Sequence, residues 1–145
     1  MINGNTAIVG LLGNPVGHSL SPSMHNAALA AMKLNWCYLA MPCQTSDLET
    51  VLKALMALNC KGINITIPHK KRVAQICKEL TPIAKRVGAV NTLIPNNQNM
   101  WTGTNTDVEG FISPLRTKEW KNKKAVVIGC GGSAKAVVAG LQDLN

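Results

Sequence analysis

The chain changes from strand to helix within INITIPHK, residues 63–70. Isoleucines alternate there with Asn64 and Thr66, which is the period of a β-strand. Pro68 has no backbone N–H and restricts the residue before it to extended geometry, so we expect the strand to end at this point. The apolar residues that follow recur at helical spacing and predict a helix: Val73, Ile76, Cys77 and Leu80. Lys70 therefore falls in the first turn of that helix.

A lysine in the first turn of a helix is unusual, because the positive end of the helix dipole disfavours a cation. If the chain has a catalytic lysine, it is Lys70, and another group should compensate its charge. The alternative is a solvated helix face, since Lys71 and Arg72 follow directly.

The composition is that of a soluble, globular protein. With 145 residues and 46% hydrophobic content, the chain is long enough to form one domain core. It has no apolar run of about 18 residues and no charged-then-apolar leader, so nothing predicts a membrane span or a secretory signal. Its 5 cysteines are odd in number and include no C-x-x-C pair. We interpret them as reduced thiols of a cytoplasmic protein, and we predict no metal site.

The net charge of +8 raises the possibility of nucleic-acid binding. The basic residues are scattered in small groups, however, and the sequence has only 1 Phe and 1 Tyr to stack on bases. We therefore expect small-molecule partners, with neither nucleic acid nor membrane, and attribute most of the charge to solubility.

Strand and helix patterns alternate along the chain, which predicts an α/β fold with a mainly parallel sheet and helices on both faces. The helix predicted at 22–34 has Ser21 as its N-cap and Pro22 at its first position. The predicted strands cover 6–12, 36–41, 63–67, 90–94 and 100–103. Further helices are predicted at 47–58, 82–87 and 106–115, and a turn at Asn96-Asn97.

The last segment has the pattern of the first βα unit of a Rossmann-type domain. Residues 125–128 predict a buried strand, and a helix is predicted at 134–144. The turn between them fits G-x-G-x-x-G/A, whose glycines allow a dinucleotide pyrophosphate to reach the helix N-terminus. The predicted cofactor-binding residues are Gly129, Gly131, Gly132, Ser133 and Ala134. A plain tight turn is the alternative, and the residue that would distinguish NAD from NADP falls beyond Asn145.

We divide the chain into a substrate-binding domain at 1–105, a connecting helix and linker at 106–121, and the start of the dinucleotide-binding domain at 122–145. One strand and one helix cannot cover both faces of a dinucleotide-binding sheet, so the residues from about Lys121 onward lack the partners they are patterned for. We therefore expect the chain to be the N-terminal portion of a longer enzyme.

Two further polar clusters follow strands and open helices, where parallel sheets place ligand-binding loops. Ser19 and Ser21 are hydroxyl donors suited to a carboxylate or a polyol, and helix capping is the alternative interpretation for Ser21. Asp107 lies in the second cluster, Asn105-Thr106-Asp107. It is either an acid favoured by the dipole of its own helix or the counter-charge that Lys70 needs.

Three segments together carry a family resemblance: residues 14–26, residues 64–70, and Gly88-Ala89-Val90-Asn91-Thr92 with Asn105-Thr106-Asp107. In order and spacing they resemble the shikimate dehydrogenase (shikimate/quinate dehydrogenase) family, and the resemblance extends from about Ala7 to Leu144. It implies an NADP-dependent oxidoreductase that reversibly reduces 3-dehydroshikimate to shikimate, in the biosynthesis of aromatic amino acids.

The resemblance also implies the roles of individual residues. Ser19 and Ser21 would bind the substrate carboxylate, and Lys70 and Asp107 would be catalytic. The implied substrate-binding set is Ser19, Ser21, Asn64, Thr66, Lys70, Asn91 and Asp107. An ammonium near the reacting oxygen would stabilise the charge that hydride delivery builds there and could supply the proton. We expect a monomer or homodimer.

Two alternatives stay open: a quinate or dual quinate/shikimate dehydrogenase, and a non-catalytic small-molecule binding module. The family's later elements are absent from this sequence, so we expect the 145-residue chain alone to be inactive.

Overall fold

Strands and helices alternate along the computed structural model, which describes residues 2–120 and 122–144. The strands are β1 (Ala7–Gly13), β2 (Trp36–Pro42), β3 (Gly62–Ile65), β4 (Glu79–Leu80), β5 (Thr92–Pro95) and β6 (Trp101–Thr104). The helices are α1 (Ser21–Ala31), α2 (Leu48–Ala57), α3 (Lys70–Ile76), α4 (Pro82–Val87), α5 (Asp107–Ile112), a 3-10 turn (Ser113–Leu115) and α6 (Gly132–Asp143). None of the helices in these described ranges is long and apolar enough to cross a membrane.

The strands form one 6-stranded sheet in the order β2-β1-β3-β5-β6-β4. β1 is parallel to both β2 and β3, and β4 is parallel to β6. Only the pairs that involve β5 are antiparallel, because β5 and β6 form a hairpin across the turn predicted at Asn96-Asn97. The Asn96 side chain closes this turn by accepting from the backbone N–H of Met100 at 3.0 Å. The mainly parallel α/β sheet is confirmed.

Helices cover both faces of the sheet, as predicted. Successive residues of β1 belong to different cores: Leu12 packs with Leu52 of α2, whereas Leu11 packs with Tyr38 of β2 and Leu29 of α1. This split follows from the alternation of side chains along a strand. The sheet is thus buried from both sides where its central strands lie.

Three predicted helix boundaries are wrong. The N-cap of α1 is Leu20 and not Ser21, which is the first helical residue, and α1 ends at Ala31 rather than 34. The helix after the junction ends at Ile76, because Cys77 takes an extended conformation (φ −71°, ψ 122°). Leu80 therefore lies in β4, paired with Gly103, and not on the helix. Tertiary pairing overrides helical periodicity at that point.

The strand predicted at 125–128 does not form. Val126 is 88% and Ile128 96% exposed, and neither pairs with a strand in the described ranges. An apolar strand of this kind needs neighbours on both edges and cover on both faces. The helix predicted at 134–144 does form, as α6. Residue 121, which ends the predicted linker, and residue 145 lie outside the described residues, and the predicted domain boundaries stay predictions.

The INITIPHK junction is anchored to the end of β1. The Asn14 N–H donates to Ile67 O at 2.9 Å, and the Thr66 N–H donates to Leu12 O at 3.0 Å. His69 is fully buried, and its Nε2 lies 2.8 Å from Cys43 O in the segment after β2. The carboxyl ends of the three parallel strands are therefore held together where the junction begins.

We expect Gly13→Ala to destabilise the fold while Gly17→Ala does not. A Cβ on Gly13 would overlap Thr66 Cγ2 and lie 2.9 Å from Ile67 O, whereas a Cβ on Gly17 would meet nothing within 4 Å. Overpacking of this kind costs about 1–3 kcal/mol. Urea unfolding of the two variants measures the difference. Equal unfolding midpoints would contradict the close approach of β1 to the junction.

Candidate active site

Lys70 and Asp107 form an ion pair at the edge of the sheet. Lys70 Nζ lies 2.7 Å from Asp107 Oδ2, and the two side chains are 17% and 30% exposed. The first residue of α3 thus meets the first residue of α5. The prediction that Asp107 supplies the counter-charge for Lys70 is confirmed, and the alternative of a solvated Lys70 is wrong. The next two residues, Lys71 and Arg72, are the exposed ones.

Asn91 fixes the second oxygen of Asp107. Its Nδ2 donates to Asp107 Oδ1 at 2.7 Å and to Thr106 Oγ1 at 2.9 Å, and its Oδ1 accepts from the Thr106 N–H at 2.9 Å. Asn91 is 8% exposed, so these bonds replace water for a buried amide. Both carboxylate oxygens of Asp107 are therefore held by side chains from outside α5.

A line of hydrogen bonds connects this pair to Asn64. Thr92 Oγ1 donates to Asn91 Oδ1 at 2.9 Å, and Asn64 Nδ2 donates to Thr92 Oγ1 at 3.2 Å. Tyr38 donates its phenol O–H to Asn64 Oδ1 at 2.8 Å. Sequence reasoning proposed no role for Thr92 or Tyr38. Tyr38 lies 26 positions from Asn64 in the sequence, so its contact with Asn64 could have been predicted only from the β2-β1-β3 strand order.

The serine loop lies next to Tyr38. Ser19 Oγ accepts from the Ser21 N–H at 3.2 Å, a local bond just before α1, and no side chain caps that helix. Burial raises the pKa of the Tyr38 phenol, and the nearby Ser21 side chain opposes part of that rise. Thr66 lies just past β3, against Gly13. Asn64, Asn91, Lys70 and Asp107 thus share one network, and Ser19 and Ser21 lie beside it, next to Tyr38.

The glycine-rich loop lies against Lys70. Lys70 Nζ donates to Ser133 Oγ at 3.2 Å, and a Cβ on Gly132 would lie 3.1 Å from Lys70 Cβ. Gly129 has a φ of +123°, which L side chains rarely adopt. Lys71 Nζ donates to Cys130 O at 3.1 Å. The loop and the Lys70–Asp107 pair therefore form one continuous site.

The glycine-rich loop has the features that a dinucleotide phosphate needs. The N-cap of α6 is Gly131, with no side-chain cap, so the first N–H groups of the helix stay available at its positive end. The predicted residues Gly129, Gly131, Gly132, Ser133 and Ala134 all lie at this end of α6. Within the described ranges, no group of three or more His, Cys, Asp or Glu residues is placed to hold a metal ion.

A separate cavity of about 640 Å³ lies between α2, α3 and the β5–β6 hairpin. It is lined mainly by apolar side chains, among them Leu52, Met56, Ile76 and Trp101, and by none of the predicted site residues. Because the predicted site residues lie elsewhere, we place the candidate site at the polar network instead.

Tyr38 should titrate well above an ordinary tyrosine. Burial raises its pKa from 10.0 to about 12. Because the folded pKa is the higher one, the stability that this group contributes is complete below pH 10 and is lost as the pH rises towards 12. The loss is about 3 kcal/mol, at 1.36 kcal/mol for each unit. Tyr38 is the only tyrosine of the chain, so the absorbance of phenolate near 295 nm reports it alone. A midpoint near 10 in the folded protein would contradict its burial.

Comparison with known proteins identifies the family. The family model described as the shikimate dehydrogenase substrate binding domain matches residues 11–93. The chain is 51% identical over 145 residues to the shikimate dehydrogenase (NADP(+)) of Prochlorococcus marinus strain MIT 9515, covering 100% of this chain and 51% of that protein. The chain thus spans about half the length of the curated relatives that it matches.

Solved structures of shikimate dehydrogenases are similar to the structure of this chain. Shikimate dehydrogenase from Aquifex aeolicus superimposes with a TM-score of 0.92 at 38% identity, covering 99% of this chain and 54% of that one. The Thermus thermophilus enzyme in complex with NADP(H) and shikimate gives 0.84 at 34% identity, covering 95% of this chain and 52% of that one. These matches confirm the resemblance that the three sequence segments indicated. The chain belongs to the shikimate dehydrogenase family.

Proposed function

We propose that this chain provides the substrate pocket and the start of the NADP-binding domain of a shikimate dehydrogenase, which reversibly reduces 3-dehydroshikimate to shikimate in aromatic amino acid biosynthesis. One observation carries the proposal. Lys70 Nζ lies 2.7 Å from Asp107 Oδ2 and 3.2 Å from Ser133 Oγ, so a proton donor pair and a dinucleotide-binding loop meet at one ammonium group.

The polar residues around this group suit a hydroxylated ring with a carboxylate. Ser19 and Ser21 bind the carboxylate at one end of the pocket. Asn64 and Thr66 bind ring hydroxyls through amide and hydroxyl groups, which can both donate and accept. Asn91 borders the same ring while its amide holds Asp107 and Thr106 in place. Lys70 and Asp107 face the oxygen at C3. The two serines favour shikimate over quinate, which is the closest alternative substrate.

The Lys70–Asp107 pair performs the acid–base part of the reaction. When bound at the glycine-rich loop, NADPH supplies the hydride that reduces the C3 carbonyl. Negative charge then builds on the C3 oxygen as the C=O π bond breaks, and the Lys70 ammonium stabilises it. The pair transfers the proton to that oxygen, with Asp107 holding Lys70 in position. In the reverse direction the pair accepts the proton from the C3 hydroxyl.

In this enzyme the substrate-binding domain spans 1–105, the connecting helix and linker 106–121, and the start of the dinucleotide-binding domain 122–145. We place the enzyme in the cytoplasm as a monomer or homodimer. Alone, the chain binds shikimate without turning it over, because Val126 and Ile128 are exposed and pair with no strand in the described ranges. NADP-dependent oxidation of shikimate by the purified 145-residue chain, lost in Lys70→Ala, would overturn this part of the proposal.

Turnover is tested in a hybrid in which residues 1–145 replace the corresponding half of the Prochlorococcus marinus relative. We expect Lys70→Ala to lower kcat about 10³-fold, the range of general acid–base catalysis. Arg72→Ala is the matched control, because Arg72 lies on the same helix in an exposed ion pair with Glu49. It should leave kcat unchanged. An equal loss of kcat in both variants would refute the role of Lys70.

Comparing shikimate with quinate as substrates in the same hybrid decides the selectivity.

The cofactor loop is tested by Gly132→Val in the same hybrid. The added side chain would press on Lys70 and Ala89, at 3.1 Å and 3.4 Å from the new Cβ, and displace the loop. We expect the KM for NADPH to rise about tenfold, which corresponds to a loss of about 1.4 kcal/mol. Gly110→Ala, where a Cβ meets nothing within 4 Å, is the control. An unchanged KM for NADPH would remove the loop from the cofactor site.

A further inference from the structure

Tyr38 is a buried tyrosine that is held from three sides. It is 4% exposed, and its ring stacks on His25 with centroids 4.2 Å apart and planes 10° from parallel. The Asn26 side chain bonds both its backbone groups: Nδ2 donates to Tyr38 O at 2.9 Å, and Oδ1 accepts from the Tyr38 N–H at 2.8 Å. The phenol O–H therefore points in a fixed direction, towards Asn64 Oδ1.

From Tyr38 the hydrogen bonds run in one direction to the catalytic pair. Each member donates to the next, in the order Tyr38, Asn64, Thr92, Asn91 and Asp107. Chains of this kind polarise one another, because each donor strengthens the next bond. The chain ends on the carboxylate that Lys70 also contacts. Tyr38 is thus the outermost donor of the network.

The orientation of Asn64 depends on this donor. An amide can present either its oxygen or its nitrogen to a given neighbour, and its bonding partners decide which. A phenol with its proton in place gives a hydrogen bond to the oxygen, which leaves Asn64 Nδ2 for Thr92 and for the pocket. Burial keeps that proton in place, because it raises the pKa of Tyr38 to about 12.

We propose that Tyr38 is a positioning residue of the substrate pocket, which acts through Asn64 to fix the amide that meets a substrate hydroxyl. The inference rests on the proposed function. A residue that merely filled space on β2 would do so equally well as phenylalanine.

The direct test is Tyr38→Phe, which keeps the ring and removes only the donor. We expect the Kd of the 145-residue chain for shikimate, measured by calorimetry, to rise about tenfold. In the hybrid, kcat/KM for shikimate should fall by a similar factor while the KM for NADPH stays the same. Trp101→Phe is the control, because it removes an indole N–H bonded to Leu52 O at 3.0 Å, next to the separate apolar cavity. It should leave the Kd unchanged.

A double-mutant cycle tests whether Tyr38 acts through Asn64. Added to Asn64→Ala, Tyr38→Phe should cost no further affinity, since its partner is gone. The same loss in both backgrounds would overturn the inference. A wild type that binds shikimate only as well as Tyr38→Phe does would overturn it too and leave the proposed function standing. A wild type that binds no shikimate would overturn both.

A second measurement needs no substitution that risks the fold. The chain has 1 tyrosine, so a fluorinated tyrosine with a more acidic phenol can be incorporated at position 38 alone. Shikimate affinity of that protein should fall as the pH rises through the ionisation of the new phenol, while the unmodified chain stays constant over the same range. Identical pH profiles would show that the donor proton has no part in binding.

Discussion

The ion pair between Lys70 and Asp107 constrains the rest of the site. Each residue begins a helix, so α3 and α5 point their positive ends towards the same small region. A lysine there would be unfavourable alone, and the carboxylate of Asp107 compensates both the ammonium and the two helix ends. The strands β3, β5 and β6 must keep their register for Lys70 Nζ to lie 2.7 Å from Asp107 Oδ2. The formation of this ion pair therefore depends on the order and register of the strands.

The glycine-rich half of the site is held although the segment before it pairs with no strand in the described ranges. Helix α6 packs on α5 at Gly140, where a Cβ would lie 2.6 Å from Ile112 Cγ2. Arg86 of α4 bonds both carboxylate oxygens of Asp143, at 2.7 Å and 2.6 Å, and thereby lowers the pKa of that carboxyl. These contacts hold the glycine-rich loop on Lys70 even though Val126 and Ile128 are exposed. Helix α6 is thus held by its contacts with α4 and α5 and not by the segment that directly precedes it.

Local patterns were sufficient where a segment's structure depends on its own residues. The helix at 82–87 was predicted to the residue, because Thr81 caps it through Ala84 N and Pro82 begins it. Where partners decide, sequence reasoning failed: Leu80 fits a helix by spacing but pairs with Gly103, and residues 125–128 fit a strand but pair with none of the described strands. The pairing of Lys70 with Asp107 was predictable because a lysine in the first turn of a helix is unfavourable without a nearby negative charge. Tyr38 and Thr92 give no such signal in the sequence, since each is an uncharged residue of a type common in strands.

The contact between Asn26 and Tyr38 has a consequence for the free edge of the sheet. β2 is the outermost strand on that side, and its sequence WCYLAMP has no charged residue to deter pairing with another chain. Edge strands of this length and polarity are sites of aggregation. The Asn26 side chain occupies both backbone groups at the centre of β2, as a neighbouring strand would. One amide therefore takes the place of a further strand at the centre of this edge and opposes pairing of β2 with another chain.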